Sequence, residues 1–573
     1  MRLVPVLALL AAAALMGGAA RPATVDYSLS PVFDGETLKA VAVEVRFTGE
    51  ADGETRVRLP DDWGGQAELW KSLSGFKVAG GKLETPSPAV RVVKHRPGAR
   101  IVLRYQVTSG YPGDPPAGNT YRPAVRPGWF HLIGEGAFVE PEGQKAAPAT
   151  FTWKRWPKTW TLASDLDHAA TGRTTTVADV LESVSLGAPA LKVMTRTIPG
   201  GRLRVAVLGD WSFAPEAFGD QLARIIAAQR RFWNDVDGPY FVSLVPTQGP
   251  GVTSLGGTGR SDGFALFATT NVDQAMMTYL IAHEHTHTWI APRLGRLSAA
   301  DEAADYWFSE GFTDFYAYRT LLRSGVWSLE DFARQANESL AAYDSSPVRT
   351  APNSRVVKGF WSDPSVQKLP YQRGLLLAFH WDEAVRRATR GARDLDDVMM
   401  LMRDRAAAAR TPDEVDLARP GFVRAMKDVA GLDVTADIAR HVEAGEPVAL
   451  PTALLEGCAR LVTEPRPVFA RGWDPEATSA AGNIVTGLRP DSPAYAAGLR
   501  DGMAIVKREA GKVGDSRVEY ALRVRDGATE RVIRFLPQGR ERFTAREIVI
   551  RPDLDDAARK TCAARMGGDR DWT

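Results

Sequence analysis

Cysteine is almost missing from this chain: Cys458 and Cys562 are the only two in 573 residues. Neither has the close spacing of thiolate ligands, which excludes a cysteine-built zinc cluster. A charge excess is missing too. The 71 Lys and Arg residues nearly balance 69 Asp and Glu, for a net charge of +2. That is too little to attract a polyanion, so no nucleic-acid partner is expected. Past the N-terminus no apolar run is long enough to cross a bilayer, so no stable membrane span is expected. Histidine is scarce as well, with eight residues, so any place where it clusters carries weight.

The N-terminus reads as a targeting segment. Met1-Arg2 supplies a positive charge, Leu3 to Met16 is almost wholly apolar, and Gly17-Gly18-Ala19-Ala20 offers small residues for cleavage. Residues 1–20 are therefore expected to be a secretory signal peptide, placing the protein in a bacterial periplasm or outside the cell. In such a compartment the two cysteines are expected to bridge, closing a loop of about 100 residues. Two separate buried thiols are the alternative.

Three of the eight histidines fall in His283-Glu284-His285-Thr286-His287. The stretch contains H-E-x-x-H. On a helix, His283 and His287 lie four apart and project from one face, where two imidazoles can grip one metal ion. Glu284 is placed to act as a general base on water beside that ion. The approach, Val272 to Ile281, is apolar enough for a buried helix, with Asn271 and Gln274 as its expected capping pair. His285 points to another face and is expected to pack or meet solvent.

A catalytic zinc takes three protein ligands and leaves a position open. Trp307-Phe308-Ser309-Glu310-Gly311-Phe312-Thr313-Asp314-Phe315-Tyr316 offers Glu310 as the third. An unpaired acid among those aromatics would be costly to bury. Asp314, four residues on, shares its helical face. It is expected to accept the free N–H of a ligand histidine.

H-E-x-x-H followed by W-x-x-E-G-x-T-x-[FY]-Y resembles the gluzincin metallopeptidases, most closely the glycyl aminopeptidase-like family. The resemblance implies a thermolysin-like catalytic domain, one Zn²⁺ per chain, and a tyrosine that stabilises the tetrahedral intermediate. Leu369-Pro370-Tyr371-Gln372-Arg373-Gly374 resembles the P-Y-x-K-G segment, with Arg373 in the lysine's place. The role therefore falls to Tyr371, at the opening of an amphipathic helix. That family also carries a Gly-rich strand with a Glu for the substrate's amino group. Here Gly256 and Gly257 are present but the Glu is not. Asp262 is a candidate substitute, and Arg260 a candidate for reversing the preference toward an acidic group.

The expected fold class is multidomain α+β. Residues 21–198 read as a β-sandwich or saddle, with Val41, Val43, Val45 and Phe47 alternating with polar neighbours. Residues 199–326 read as the thermolysin-like catalytic domain and 327–450 as its helical part. Residues 451–573 resemble a PDZ domain through Gly482-Asn483-Ile484-Val485 and Ser492-Pro493-Ala494. Such a module implies capture of a peptide C-terminus. The function expected is an exported zinc metallopeptidase acting on peptides or proteins, aminopeptidase-like. An endopeptidase of the same fold is one alternative. The other is a PDZ-centred peptide-binding or chaperone-like protein with a non-catalytic metal.

Overall fold

The computed structural model describes residues 24–568 apart from 119, 168–174, 236–237, 250–252, 261, 299–301 and 412–413. The expected signal peptide, 1–20, lies outside them. No helix among the described residues is long and apolar enough to cross a membrane. The chain forms two compact units. The first takes in residues up to Pro112, Tyr121–Trp160 and Leu166–Gly187; the second takes in Gly113–Thr120, Thr161–Asp165 and the chain from Ala188 onward.

The first unit is built of β-sheet. Its largest sheet runs Thr175–Thr176, Pro148–Trp153, Val25–Asp34, Thr37–Thr48, Arg100–Val107, Leu73–Ala79 in spatial order. The period-two pattern works as expected. Val41, Val43, Val45 and Phe47 are buried, while Glu44 is only partly covered and Arg46 is exposed. Arg100–Val107 repeats this pattern.

The second unit opens on a five-stranded mixed sheet in the order Lys192–Ile198, Gly201–Val207, Tyr240–Pro246, Gly263–Ala268, Leu255–Arg260. The strands Gly201–Val207, Tyr240–Pro246 and Gly263–Ala268 are parallel neighbours. The first of these crossovers carries the helix Pro215–Phe232, which buries Phe218, Leu222, Ile225 and Ile226. From Gly263–Ala268 the chain turns into the histidine helix, Gln274–Thr286. The acid helix, Tyr306–Arg323, follows. Next come Leu329–Ser345, with Ser328 and Asp331 forming the expected capping box, and the tyrosine helix, Pro364–Ala388. Helices Leu395–Ala408 and Ala418–Ala430 complete this layer.

Two expected boundaries are displaced. The histidine helix is capped by Asp273, whose side chain accepts from the Met276 amide. Asn271 instead accepts from the Thr269 hydroxyl in the preceding turn. The tyrosine helix starts at Pro364, with Asp363 accepting from the Ser365 and Val366 amides. Tyr371 is thus in its second turn rather than at its opening. In both places an Asp just ahead of the helix wins because its carboxylate reaches the free amides of the first turn.

The chain closes with β-structure. Strands Ala459–Phe469 and Gln538–Ile550 pair with each other, and Ala504–Ala510, Tyr520–Asp526 and Thr529–Phe535 form a three-stranded sheet. The latter wraps a small core that includes Val485, Leu499, Leu522 and Val524. Helix Asp556–Gly567 ends the described chain, and Cys562 on it is bridged to Cys458.

Candidate metal and catalytic site

The histidine helix packs against the acid helix, and the acid helix against the tyrosine helix. The second crossing is unusually close. A Cβ on Gly374 would stand 1.9 Å from the Trp307 carbonyl oxygen, and one on Gly311 would stand 2.3 Å from the Gly374 Cα. Backbone touches backbone there, which brings Tyr371 alongside Glu310.

His283, His287 and Glu310 converge, each offering one atom within 4.8 Å of the others'. The two Nε2 atoms are 3.1 Å apart. Glu310 Oε2 lies 3.3 Å from the first and 3.5 Å from the second. The far side of each ring is occupied. His283 Nδ1 is 2.8 Å from Asp314 Oδ1, and His287 Nδ1 is 2.8 Å from the Ile290 carbonyl oxygen. Both of those partners are acceptors, so each Nδ1 carries the proton and each Nε2 turns a lone pair to the common point. Two such lone pairs 3.1 Å apart repel unless a proton or a cation lies between them.

These residues fit zinc. Two nitrogen ligands about 2.05 Å from a tetrahedral ion stand about 3.3 Å apart, close to the three separations above. Tyr279, one helical turn before His283, donates to the same Asp314 oxygen at 2.5 Å. Sequence reasoning passed over Tyr279, although its i−4 spacing from His283 marks it.

The electrostatics suit the arrangement. Burial alone would lower both histidines, but the carboxylates outweigh it, Asp314 and Glu310 for His283 and Glu310 for His287. Both imidazoles therefore hold a proton above the ordinary range when no cation is bound. Burial would raise Glu310, yet the His287 charge and bonds from both rings hold it well below the usual carboxylate range. Burial pushes the Glu284 carboxyl up, only partly offset by His283 and His287. That carboxylate has no hydrogen-bond partner among the described residues. Burial, then the Glu310 charge, pushes the Tyr371 hydroxyl far up, so it remains a neutral donor. Its ring lies 5.9 Å from that of His283.

Residues 276–357 match the model of the M61 glycyl aminopeptidase family. The matched segment carries the H-E-x-x-H stretch and the Glu310 motif, so the glycyl aminopeptidase resemblance holds for those two windows, while the Tyr371 segment and the Gly256-Gly257 strand lie outside the match. An aminopeptidase N family protein from Idiomarina loihiensis has a similar solved structure. Its TM-score is 0.65 at 14% identity, covering 96% of this chain and all of that one. The fold is therefore of the aminopeptidase-like kind, with β-sheets first and a helical part later. An M1 zinc metallopeptidase from Deinococcus radiodurans is also similar, at 18% identity and a TM-score of 0.43 over 75% of this chain and 96% of that one. No curated protein matches the chain in sequence.

The remaining expected residues are placed differently. Gly256, Gly257 and Arg260 lie on the sheet's edge strand, Leu255–Arg260. Gly257 is required by packing, since a Cβ there would strike the Phe264 ring at 2.3 Å, whereas Gly256 has open space. Asp262 lies between the strands Leu255–Arg260 and Gly263–Ala268, where its carbonyl accepts from the Phe241 amide. Arg373 is buried and donates to the carbonyls of Arg349 and Ala351, bracing the fold. His285 does not meet solvent. It is buried, 2.6 Å from Gln229 Oε1, and packs edge-on to Tyr240 and Trp289. Gln229 also donates to the Ala282 carbonyl, tying the histidine helix to Pro215–Phe232.

Proposed function

We propose that the chain is an exported zinc peptidase, aminopeptidase-like, in which His283, His287 and Glu310 hold one Zn²⁺. The observation that carries this is the convergence of two imidazole Nε2 atoms and one carboxylate oxygen, with both Nδ1 atoms committed elsewhere. When bound, zinc polarises a carbonyl and lowers the pKa of water. Glu284, poised by burial and otherwise unpartnered, takes the proton of the attacking water and returns it to the leaving amine. Tyr371, kept protonated, donates to the oxyanion as it develops. Asp314 holds the His283 tautomer and ring orientation. The strand at Gly256 and Gly257, with Arg260 and Asp262, receives the amino end of the substrate. Residues 451–573 act as a PDZ-like module for a peptide C-terminus.

The test is metal content together with cleavage of an unblocked and an N-blocked peptide. One zinc per chain and a preference for the unblocked peptide are expected. Equal cleavage of both makes the enzyme an endopeptidase. Glu284→Gln should keep the metal and lose nearly all hydrolysis. A Glu284→Gln protein as active as the native one would refute the mechanism, and zinc without any hydrolysis would favour the binding-protein alternative.

A further inference from the structure

A cleft of about 1240 Å³ in the second unit opens between helix Leu329–Ser345, the first turns of the tyrosine helix and the C-terminal strands. Lys368 and Gln372 line it, four apart on one face of the tyrosine helix and flanking Tyr371. The Lys368 ammonium lies 5.4 Å from the Tyr371 ring centre. That ring is 5.9 Å from the His283 ring. The cleft wall is thus one side chain away from the metal-binding group.

Lys368 stands apart from the other cations of this wall. The remaining six each reach a carboxylate, as Lys512 reaches Glu338 and Arg466 reaches Glu547. Lys368 is exposed and has no carboxylate partner among the described residues. Gln372 has a side-chain oxygen without a hydrogen-bond partner. A wall that pairs its charges everywhere but at one lysine, beside the proposed oxyanion donor, leaves a binding position for an anion supplied from outside.

We propose that Lys368 is a specificity-determining residue that binds a substrate carboxylate two or three residues beyond the scissile bond. This rests on the peptidase reading above. Lys368 Nζ is at most about 11 Å from the His283 ring centre, and extended residues advance about 3.3–3.6 Å each. The proposal requires a peptide whose amino end is held at the Gly256 strand to pass Tyr371 and reach Lys368 in this cleft. The carboxylate is either the peptide's own C-terminus or an acidic side chain.

The test uses zinc-loaded Glu284→Gln protein, which binds without cleaving, and three tetrapeptides. These are Gly-Ala-Ala-Ala as free acid, the same peptide amidated, and an amidated form with Glu in third place. Calorimetry should show the free acid, the Glu peptide or both binding about tenfold tighter than the plain amide, the order of one hydrogen bond to a charged group. Whichever binds tightly identifies the source of the carboxylate. Adding Lys368→Gln should bring all three within about twofold of one another, while Lys368→Arg should keep the preference. No preference in the parent protein, or an undiminished preference with Lys368→Gln, overturns the proposal. Hydrolysis of the three peptides by native enzyme is read separately. Discrimination in binding without hydrolysis refutes the peptidase reading, and hydrolysis without discrimination refutes the role of Lys368 alone.

Discussion

Gly374→Ala tests how the acid and tyrosine helices are held together. An alanine in a helix interior is ordinarily favourable over glycine by about 1 kcal/mol. Here the added methyl would stand 1.9 Å from the Trp307 carbonyl oxygen and 2.8 Å from the Gly311 Cα. Both obstacles are backbone, so neither can rotate away, and the helices must part by more than about 1 Å to restore van der Waals contact. Overpacking of this kind costs about 1–3 kcal/mol, which outweighs the propensity gain. The same movement carries Tyr371 away from Glu310, and a displacement of about 1 Å at a reacting group costs about a hundredfold in rate. Calorimetric melting and kcat/KM on an unblocked peptide should therefore both fall. Gly113→Ala, whose methyl would meet nothing within 4 Å, should leave both unchanged. Gly311→Ala should act like Gly374→Ala, and the double variant should cost less than the sum, because both methyls force open one gap. A Gly374→Ala protein with native melting and native rate would refute the reasoning.

Asp314→Asn should weaken zinc affinity about 10–100-fold in a chelator competition, because the amide no longer orients His283 as a charged acceptor; native affinity would remove Asp314 from the site. His285→Ala should lower the melting temperature, by about 2 kcal/mol of stability, since it leaves Gln229 Oε1 buried without its partner; a silent substitution would contradict that burial. In metal-free protein the raised histidines contribute stability that is full below the unfolded value of about 6.5 and is lost as pH rises through their folded values. Glu310 contributes stability above about 4.5 that is lost as pH falls. Denaturation of apo-protein across pH should thus show a decline on the alkaline side that zinc removes, and identical pH profiles with and without zinc would argue against the pairing. Reducing Cys458–Cys562 frees a loop of 104 residues' separation and should cost about 4–5 kcal/mol, seen as earlier melting under reductant.

What could be read in the chain beforehand was local. The i, i+4 spacings of His283 with His287 and of Glu310 with Asp314 are properties of single helices, and the alternation at Val41 to Phe47 is a property of a single strand. Each survives because short-range geometry decides it. The contacts that could not be read join distant segments. Gly311 and Gly374 meet across two helices, and neither sequence neighbourhood announces the other. His285 is held by Gln229, 56 positions earlier, so its one-face pattern looked indifferent. Asn271 and Asp273 are equally good caps by type, and only the turn from Ala268 decides between them. Lys368 became distinctive only when the partners of the cleft's other cations were known.

The donor set also bears on which ion a purified sample contains. Two imidazoles and one carboxylate exclude magnesium and calcium by preference for harder ligands, but nothing in those three groups rejects copper or nickel. By the Irving–Williams order copper(II) binds such a set more tightly than zinc does. On the metal-site reading proposed above, metal identity at His283, His287 and Glu310 is a matter of supply rather than of the pocket, and a preparation passed over a nickel column can carry the column's ion. Reconstitution from apo-protein with defined metals is what makes the metal count meaningful.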